Sequence, residues 1–149
     1  MISFEIDFNI DDAIARLTAA ENLFANNRVF YEQIADFMHD VTMQNFDREG
    51  NQVTGSWHEL SRARQAQRGS AHPILQDTGA LKNSIEPFGR QDEAEVSTQI
   101  GYSSLMQFGG VNNDGHMVPA RPYLVIAESD KQNIVFLAES YFFEPFEQA

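Results

Sequence analysis

The sequence contains no cysteine, which excludes a disulfide framework and a thiolate metal site. It has no run of 18 apolar residues, and the stretch from Met1 to Asp7 holds no basic group followed by an apolar segment. We therefore expect no membrane span, no signal peptide and synthesis in the cytoplasm.

Positive charge is also scarce, with 10 Lys and Arg against 22 Asp and Glu and a net charge of -12. Nucleic-acid binding draws most of its affinity from cations, so we expect no direct nucleic-acid partner. Residues 46–90 nevertheless hold six bases and five acids, whereas residues 1–45 and 91–149 hold two bases each, with eight and nine acids. The middle of one copy could therefore attract the ends of another.

Apolar residues make up 42% of the chain and include twelve Phe, which is not the composition of a disordered protein. A length of 149 residues suits one core. We therefore predict a single globular domain over residues 1–149.

The first third of the chain shows two clear periods. Apolar residues alternate with polar ones from Ile2 to Phe8, which predicts a strand over residues 2–8. Helical spacing then predicts a long helix over residues 12–45. Its two apolar stripes are out of phase across Asn26 and Asn27, so we expect a break there.

Residues 46–79, which we call the arm, lack any period and are interrupted by glycine and proline. Only residues 57–67 are able to form a short helix, with Trp57 anchoring the arm through its large apolar ring. Long irregular segments tend to be functional or disordered, so the arm is predicted to be mobile and to carry a binding surface. Its arginines Arg62, Arg64 and Arg68 suit a solvated or partner-facing helix, with nucleic-acid contact as the alternative.

The second half of the chain predicts a hairpin, a turn-rich segment and a helix. Residues 81–88 and 95–102 read as paired strands, and residues 107–123 are dense in turn formers. Ser129 and Gln132 have capping-box spacing for a helix that ends near Pro145. The predicted fold class is α+β, with a small antiparallel sheet packed against a long N-terminal helix and a C-terminal helix, and with a long extended arm.

Motifs for catalysis are missing from the sequence. Its four histidines have no metal-ligand spacing, and the sequence contains no nucleophile elbow and no phosphate-binding glycine loop. We therefore assign no catalytic, cofactor-binding or metal-binding residue and expect no enzyme. A metal-dependent hydrolase that uses His and Asp residues of the turn-rich segment, such as His116, is the alternative from another class.

Three motifs follow one another over residues 45–124. They are Asn45-Phe46-Asp47 with Ser56-Trp57-His58-Glu59-Leu60-Ser61, then residues 74–85 with Thr78-Gly79-Ala80-Leu81 at their centre, then Gly101-Tyr102, Gln107-Phe108-Gly109 and Val118-Pro119-Ala120-Arg121-Pro122-Tyr123-Leu124. In order and spacing they resemble the phage virion morphogenesis family, the tail-completion proteins of contractile-tailed phages and of related prophages.

This resemblance implies a structural virion protein at the head–tail junction. Its expected form is a homo-oligomeric ring of six copies that completes the tail. Its expected partners are the tail tube and sheath and the head connector, and its expected location is the virion, after assembly in the host cytoplasm. A head-side neck ring is the near alternative.

The motifs also supply candidate structural and interaction residues. We expect Gly79 to form the turn before a strand that begins at Leu81. We expect Arg121, on a stiff backbone between two prolines, to pair with a carboxylate, within the subunit by preference or else across a ring interface. The full set of candidates is Trp57, Arg62, Arg64, Arg68, Thr78, Gly79, Leu81, Gln107, Gly109, Pro119, Arg121, Pro122 and Tyr123.

Overall fold

The computed structural model describes residues 10–147. In chain order its elements are α1 (Ile10–Ala25), α2 (Arg28–Arg48), β1 (Gly50–Asn51), β2 (Gly55–Ser56), α3 (Arg62–Arg68), α4 (Ala80–Asn83), β3 (Glu86–Gly89), β4 (Ala94–Ser97), α5 (Ser103–Phe108), β5 (Gly110–Val111), β6 (Met117–Val118) and α6 (Glu128–Glu147). The fold class is α+β, as predicted. The strand predicted over residues 2–8 lies outside the described residues.

The long N-terminal helix is divided at the predicted place. Helix α1 ends at Ala25 and α2 begins at Arg28, so the break falls on Asn26 and Asn27. The side-chain oxygen of Asn26 accepts a hydrogen bond from the backbone N–H of Arg28 at 3.3 Å. Asparagine favours such local bonds over a continuous helix, and the prediction of a break is confirmed.

The predicted small sheet consists of three separate antiparallel ladders in the described part of the chain. They pair β1 with β2, β3 with β4, and β5 with β6. The hairpin between β3 and β4 is confirmed, with Glu86 opposite Ser97 and Gly89 opposite Ala94. It is the longest of the three ladders and packs against α2.

Both strands of that hairpin are shorter than predicted. Residues 80–83 form the one-turn helix α4, so the prediction of a strand from Leu81 is wrong. Strand β4 ends at Ser97, where the Thr98 hydroxyl turns inward to accept a hydrogen bond from the backbone N–H of Ile100 at 3.2 Å. A side chain that bonds to its own backbone in this way competes with a β-ladder.

Helix α6 begins one residue before the predicted cap and continues beyond Pro145 to Glu147. Its first turn is stabilised by Asp130, whose carboxylate accepts a hydrogen bond from the backbone N–H of Ala127 at 2.9 Å. The predicted capping residue Ser129 instead contacts the side chain of Gln52. The reciprocal half of a capping box is therefore present, but Asp130 supplies it.

The main core lies where α2, the arm and the later segments meet. Its buried members are Phe46, Trp57, Ile74, Leu81, Ile85 and Tyr123. Trp57 meets Phe46 edge-on at 5.5 Å between ring centroids, and Tyr123 packs on the same Phe46 ring at 5.4 Å. A second aromatic group joins α2 to α6, because the ring of Phe30 contacts the rings of Tyr141 and Phe142.

The arm enters this core at both ends. Trp57 and Ile74 are buried, whereas α3 between them has no buried residue. At the start of the arm Glu49 adopts the left-handed conformation with φ of 51°, and its carboxylate accepts a hydrogen bond from the backbone N–H of Ile74. The other carboxylate oxygen lies 2.6 Å from Nδ1 of His72. The arm therefore leaves the core and returns to it, and Glu49 links its two ends.

Close packing of β3 on α2 predicts a specific sensitivity at Gly89. A Cβ built on Gly89 would lie 2.2 Å from the backbone nitrogen of Glu32, whereas one on Gly101 would meet nothing within 4 Å. We expect Gly89→Ala to lower the free energy of unfolding by about 3 kcal/mol, because α2 must move away. Gly101→Ala is the matched control and should change it by no more than about 0.5 kcal/mol in urea denaturation. Equal midpoints for the two variants would contradict this packing.

Candidate functional site

The last part of the third motif forms an extended segment, residues 119–125, that runs through the core without pairing with a strand. Tyr123 at its centre is only 1% exposed. Buried backbone groups outside regular structure need other hydrogen-bond partners, since an unpaired buried amide costs stability. One bond comes from α5, where the carbonyl of Met106 accepts from the N–H of Arg121 at 2.8 Å.

Gln107 of α5 satisfies three backbone groups of this segment. Its side-chain oxygen accepts hydrogen bonds from the backbone N–H groups of Tyr123 and Leu124, both at 3.0 Å. Its side-chain nitrogen donates to the carbonyl of Leu124 at 3.1 Å. The side-chain amide of Gln107 therefore supplies the hydrogen bonds that a neighbouring strand would otherwise supply. It uses both its N–H donor and its oxygen acceptor to do so.

Two side chains of the first motif and one of β1 bind the opposite side of the segment. The indole Nε1 of Trp57 donates to the carbonyl of Pro122 at 2.8 Å, and the side-chain amide of Asn51 donates to the same oxygen at 3.0 Å. The side chain of Asn45 donates to the carbonyls of Tyr123 at 2.9 Å and Val125 at 3.3 Å. These contacts join the first motif directly to the third.

Arg121 pairs with backbone carbonyls and not with the predicted carboxylate. Its Nε donates to the carbonyl of His58 at 2.7 Å, and its Nη2 donates to the carbonyl of Glu59 at 2.9 Å. The residue is 5% exposed, and burial lowers the pKa of its guanidinium from the usual value. The pairing lies within the subunit, which was the preferred expectation over a pairing across a ring interface. The planar guanidinium of Arg121 fits two successive carbonyls of the arm.

We name the five side chains of Asn45, Asn51, Trp57, Gln107 and Arg121 the clasp. Four lie outside the segment and bind its backbone, and Arg121 lies within it and binds the arm. The ring of Tyr123 completes the packing and donates its hydroxyl proton to the carbonyl of Ser103 at 3.2 Å. Burial raises the pKa of that hydroxyl. The clasp therefore fixes the position of α2, the arm and α5 around one segment.

The second motif begins helix α4. Gly79 has a φ of +73°, the left-handed region that glycine adopts freely, and it immediately precedes the helix. The hydroxyl of Thr78 accepts a hydrogen bond from the backbone N–H of Ala80 at 3.3 Å, and Leu81 is 2% exposed in the core. Gly79 thus admits a helical turn, where a strand was expected.

The arginines of the arm have separate environments. Arg64 pairs with Asp77 at 2.8 Å, and Arg68 approaches the same carboxylate at 3.5 Å with its side chain 7% exposed. Arg62 is exposed on α3 and has no ion pair among residues 10–147. Arg64 and Arg68 therefore join α3 to Asp77 near the end of the arm. Arg62 is the remaining arginine of α3 and lies at the surface.

Two candidates, Gly109 and Pro119, flank the hairpin formed by β5 and β6. Gly109 ends α5 with a φ of +70°, and a Cβ there would come within 2.7 Å of the backbone nitrogen of Ala120. The two stretches of backbone therefore approach so closely that a side chain does not fit. Pro119 is exposed beside them.

Sequence reasoning missed Asn45, Glu49 and Asn51 as functional side chains. Asn45 stands in the first motif and is 5% exposed within α2, although asparagine is a weak helix former. A polar residue of low helix propensity inside an apolar stripe is the one signal that could have marked it. Glu49 and Asn51 act through bonds to residues more than twenty positions away, for which the sequence contains no local signal.

Residues 10–147 contain neither a cluster of metal-ligating side chains nor a membrane-spanning helix. Over residues 10–147 no group of three or more His, Asp or Glu side chains is placed to hold a metal ion. No described helix is long and apolar enough to cross a membrane. A cleft beside Asn45 and Arg48 has a volume of about 20 Å³, which is room for about one water molecule.

Large apolar side chains lie on the outside of two regions. The hairpin patch consists of Phe108, Val111 and Met117 around β5 and β6, which are 77%, 61% and 76% exposed. The helical patch consists of Ile14, Leu17 and Phe24 on α1 and of Val135, Phe136 and Phe143 on α6. Contiguous exposed apolar groups are typical of surfaces that pack against other chains. The two exposed apolar regions have the character of surfaces on an assembly subunit.

The chain belongs to the phage virion morphogenesis family, whose model matches residues 7–142. It is similar to a relative described as Mu-like prophage FluMu G protein 2 from Haemophilus influenzae, with 30% identity over 144 residues. The alignment covers 95% of this chain and 96% of the relative. No solved structure matches this chain. The protein therefore has a structural role in phage virion morphogenesis, as the sequence motifs indicated.

The clasp predicts that Gln107 is important for stability. Gln107→Leu keeps a similar volume but leaves two buried N–H groups and one carbonyl without partners. We expect the free energy of unfolding to fall by about 3 kcal/mol. Gln99→Leu, at an exposed position on no element of the fold, is the control and should change it by less than about 0.5 kcal/mol. A Gln107→Leu protein as stable as the control in urea would refute the role of the clasp.

Proposed function

We propose that the protein assembles into a closed ring of its own copies at the head–tail junction of a phage, completes the tail and allows the head to join. Membership of a virion morphogenesis family supports a structural role in the particle. The observation that carries the ring is the presence of two separate apolar surfaces, exemplified by Met117 in the hairpin patch and Leu17 in the helical patch, 76% and 71% exposed.

Two different surfaces on one subunit are what a head-to-tail contact between identical copies requires. When such a contact repeats with a rotation that closes, the product is a ring. An isolated 16-residue helix such as α1 is marginal in water and depends on packing of its apolar stripe. The exposure of Ile14 and Leu17 therefore favours a state in which another chain covers α1.

The copy number and the position of the ring follow the motif resemblance. The ring we propose has six copies, lies at the tail end and contacts the tail tube and sheath on one side and the head connector on the other. The clasp holds residues 119–125 of the third motif inside the core, so the subunit has a rigid centre from which to make these contacts. The outward parts of the chain are then free to contact partners.

Charge contributes less to ring contacts than composition alone suggested. Three of the five arginines of the middle segment pair within the subunit, Arg64 and Arg68 with Asp77, and Arg90 with Glu93 and Glu95. Arg48 and Arg62 are exposed and have no ion pair among residues 10–147. The contacts that close the ring therefore depend mainly on apolar side chains.

The ring predicts a discrete native mass. We expect the purified protein to form one closed species with the mass of six chains of 16.9 kDa, measured by native mass spectrometry over a range of concentrations. A closed ring has no free end to which further copies add, so larger species should be absent. A monomer at every concentration, or an open series of sizes, would contradict the proposal.

The arm predicts a difference between free and assembled subunits. We propose that residues 46–79 are mobile in the free subunit and ordered in the ring, with the mobility centred on α3 because Trp57 and Ile74 hold the two ends. Limited trypsin digestion should cut after Arg62 faster in monomers than in rings, with cleavage after Arg90, which is exposed and lies outside the arm and both patches, as an internal control. Equal cutting rates in both states would show that assembly does not order the arm.

A further inference from the structure

The hairpin patch lies in a part of the chain that is almost free of charge. From Val96 to Ala127 the sequence holds only two charged side chains, Asp114 and Arg121, although 21% of the whole chain is charged. Arg121 is 5% exposed and bound in the clasp, so Asp114 is the one charged group of this stretch at the surface. The rest of the surface is thus strongly acidic by contrast, in a protein with a net charge of -12.

Two copies of such an acidic chain repel each other over most of their surfaces. Carboxylates that are brought together at a contact cost free energy, both through repulsion and through loss of hydration. A contact between copies is therefore most favourable where one copy presents no acid. The stretch that holds the hairpin patch comes nearest to this condition, since Asp114 in the hairpin loop is its one exposed acid. The patch also contains a large aromatic ring, that of Phe108, which is 77% exposed.

The hairpin is held in one shape before any partner binds. The side-chain oxygen of Asn112 accepts hydrogen bonds from the backbone N–H groups of Asp114 at 3.1 Å and His116 at 2.8 Å. The backbone of Asn112 also exchanges bonds across the loop, donating to the carbonyl of His116 at 2.9 Å and accepting from the N–H of Gly115 at 3.0 Å. A loop already ordered loses little conformational entropy on binding.

The base of the hairpin is equally fixed. Val111 and Met117 are direct partners across the ladder, so their side chains lie on one face, 61% and 76% exposed. Gly109 packs against the backbone of Ala120, which belongs to the segment that the clasp holds. The hairpin is therefore a rigid apolar projection joined directly to the core.

We propose that the hairpin patch, formed by Phe108, Val111 and Met117, is the surface by which one copy packs against a second copy of this chain. This inference rests on the proposed ring and names the contact that closes it. The scarcity of acids in this stretch favours a second copy as the occupant, because a strongly acidic neighbour then meets only the carboxylate of Asp114.

The test compares two valines of equal exposure in two different hairpins. Val111 lies in the hairpin patch and Val53 in the loop between β1 and β2, and each is 61% exposed. Each is changed to glutamate, and native mass is measured as a function of concentration. We expect Val111→Glu to raise the concentration for half-assembly about 100-fold, because the contact would bury an unpaired carboxylate. Val53→Glu should leave assembly unchanged.

Met117→Glu is the second variant, and it places the charge directly opposite position 111. Thermal unfolding of all three variants should match the wild-type protein, since each side chain is exposed in the subunit. A variant that unfolds early would be replaced by Met117→Gln, which is polar but uncharged and should weaken assembly in the same direction.

The outcomes separate this inference from the proposed function. A wild-type ring that keeps its mass in both Val111→Glu and Met117→Glu would overturn the hairpin contact and leave the ring intact. A wild-type monomer at every concentration would overturn both. Salt provides a further readout, because at about 1 M the Debye length falls to about 3 Å. The ring should persist there, and dissociation in salt together with a Val111→Glu ring would assign the contact to charged surfaces instead.

Discussion

An extended backbone segment that crosses a protein core without joining a β-sheet must find its hydrogen-bond partners among side chains. Residues 119–125 are in this position, and the rest of the described structure depends on how they are held. Gln107 replaces a neighbouring strand on one side, while Asn45 and Trp57 bind carbonyls on the other. Because these partners come from α5, α2 and the arm, one set of bonds determines how all three pack, and each bond is worth more in a dry core than at the surface.

This arrangement divides the subunit into an inside that defines the family and an outside that makes contacts. The motifs at residues 45–61, 74–85 and 101–124 meet at the clasp and the main core, where Phe46, Trp57, Leu81 and Tyr123 pack together. The helical patch lies outside these motifs, whereas the hairpin patch lies within the range of the third. The motifs therefore account mainly for how the core is built, and the hairpin patch is a part of them that reaches the surface.

The sequence was informative where a local rule decides the structure. The two asparagines at positions 26 and 27 broke the helix as their low helix propensity predicts, and the hairpin of residues 86–97 formed from alternating residues around a turn. It was misleading where distant bonds decide. Leu81 had the surroundings of a strand, yet Gly79 in its left-handed conformation starts a helical turn. The carbonyl partners of Arg121 lie 62 and 63 residues earlier, beyond the reach of any periodicity.

The long separation of the clasp partners also constrains the order of events during synthesis. Asn45 and Tyr123 are 78 residues apart, and Trp57 and Pro122 are 65 residues apart. While the ribosome is still making residues before 119, Phe46 and Trp57 have no segment to pack around, so the nascent chain holds helices without a closed core. The hairpin is joined to that same segment and becomes firmly placed only when the core closes. An incomplete chain therefore lacks the rigid hairpin that we propose as the contact between copies.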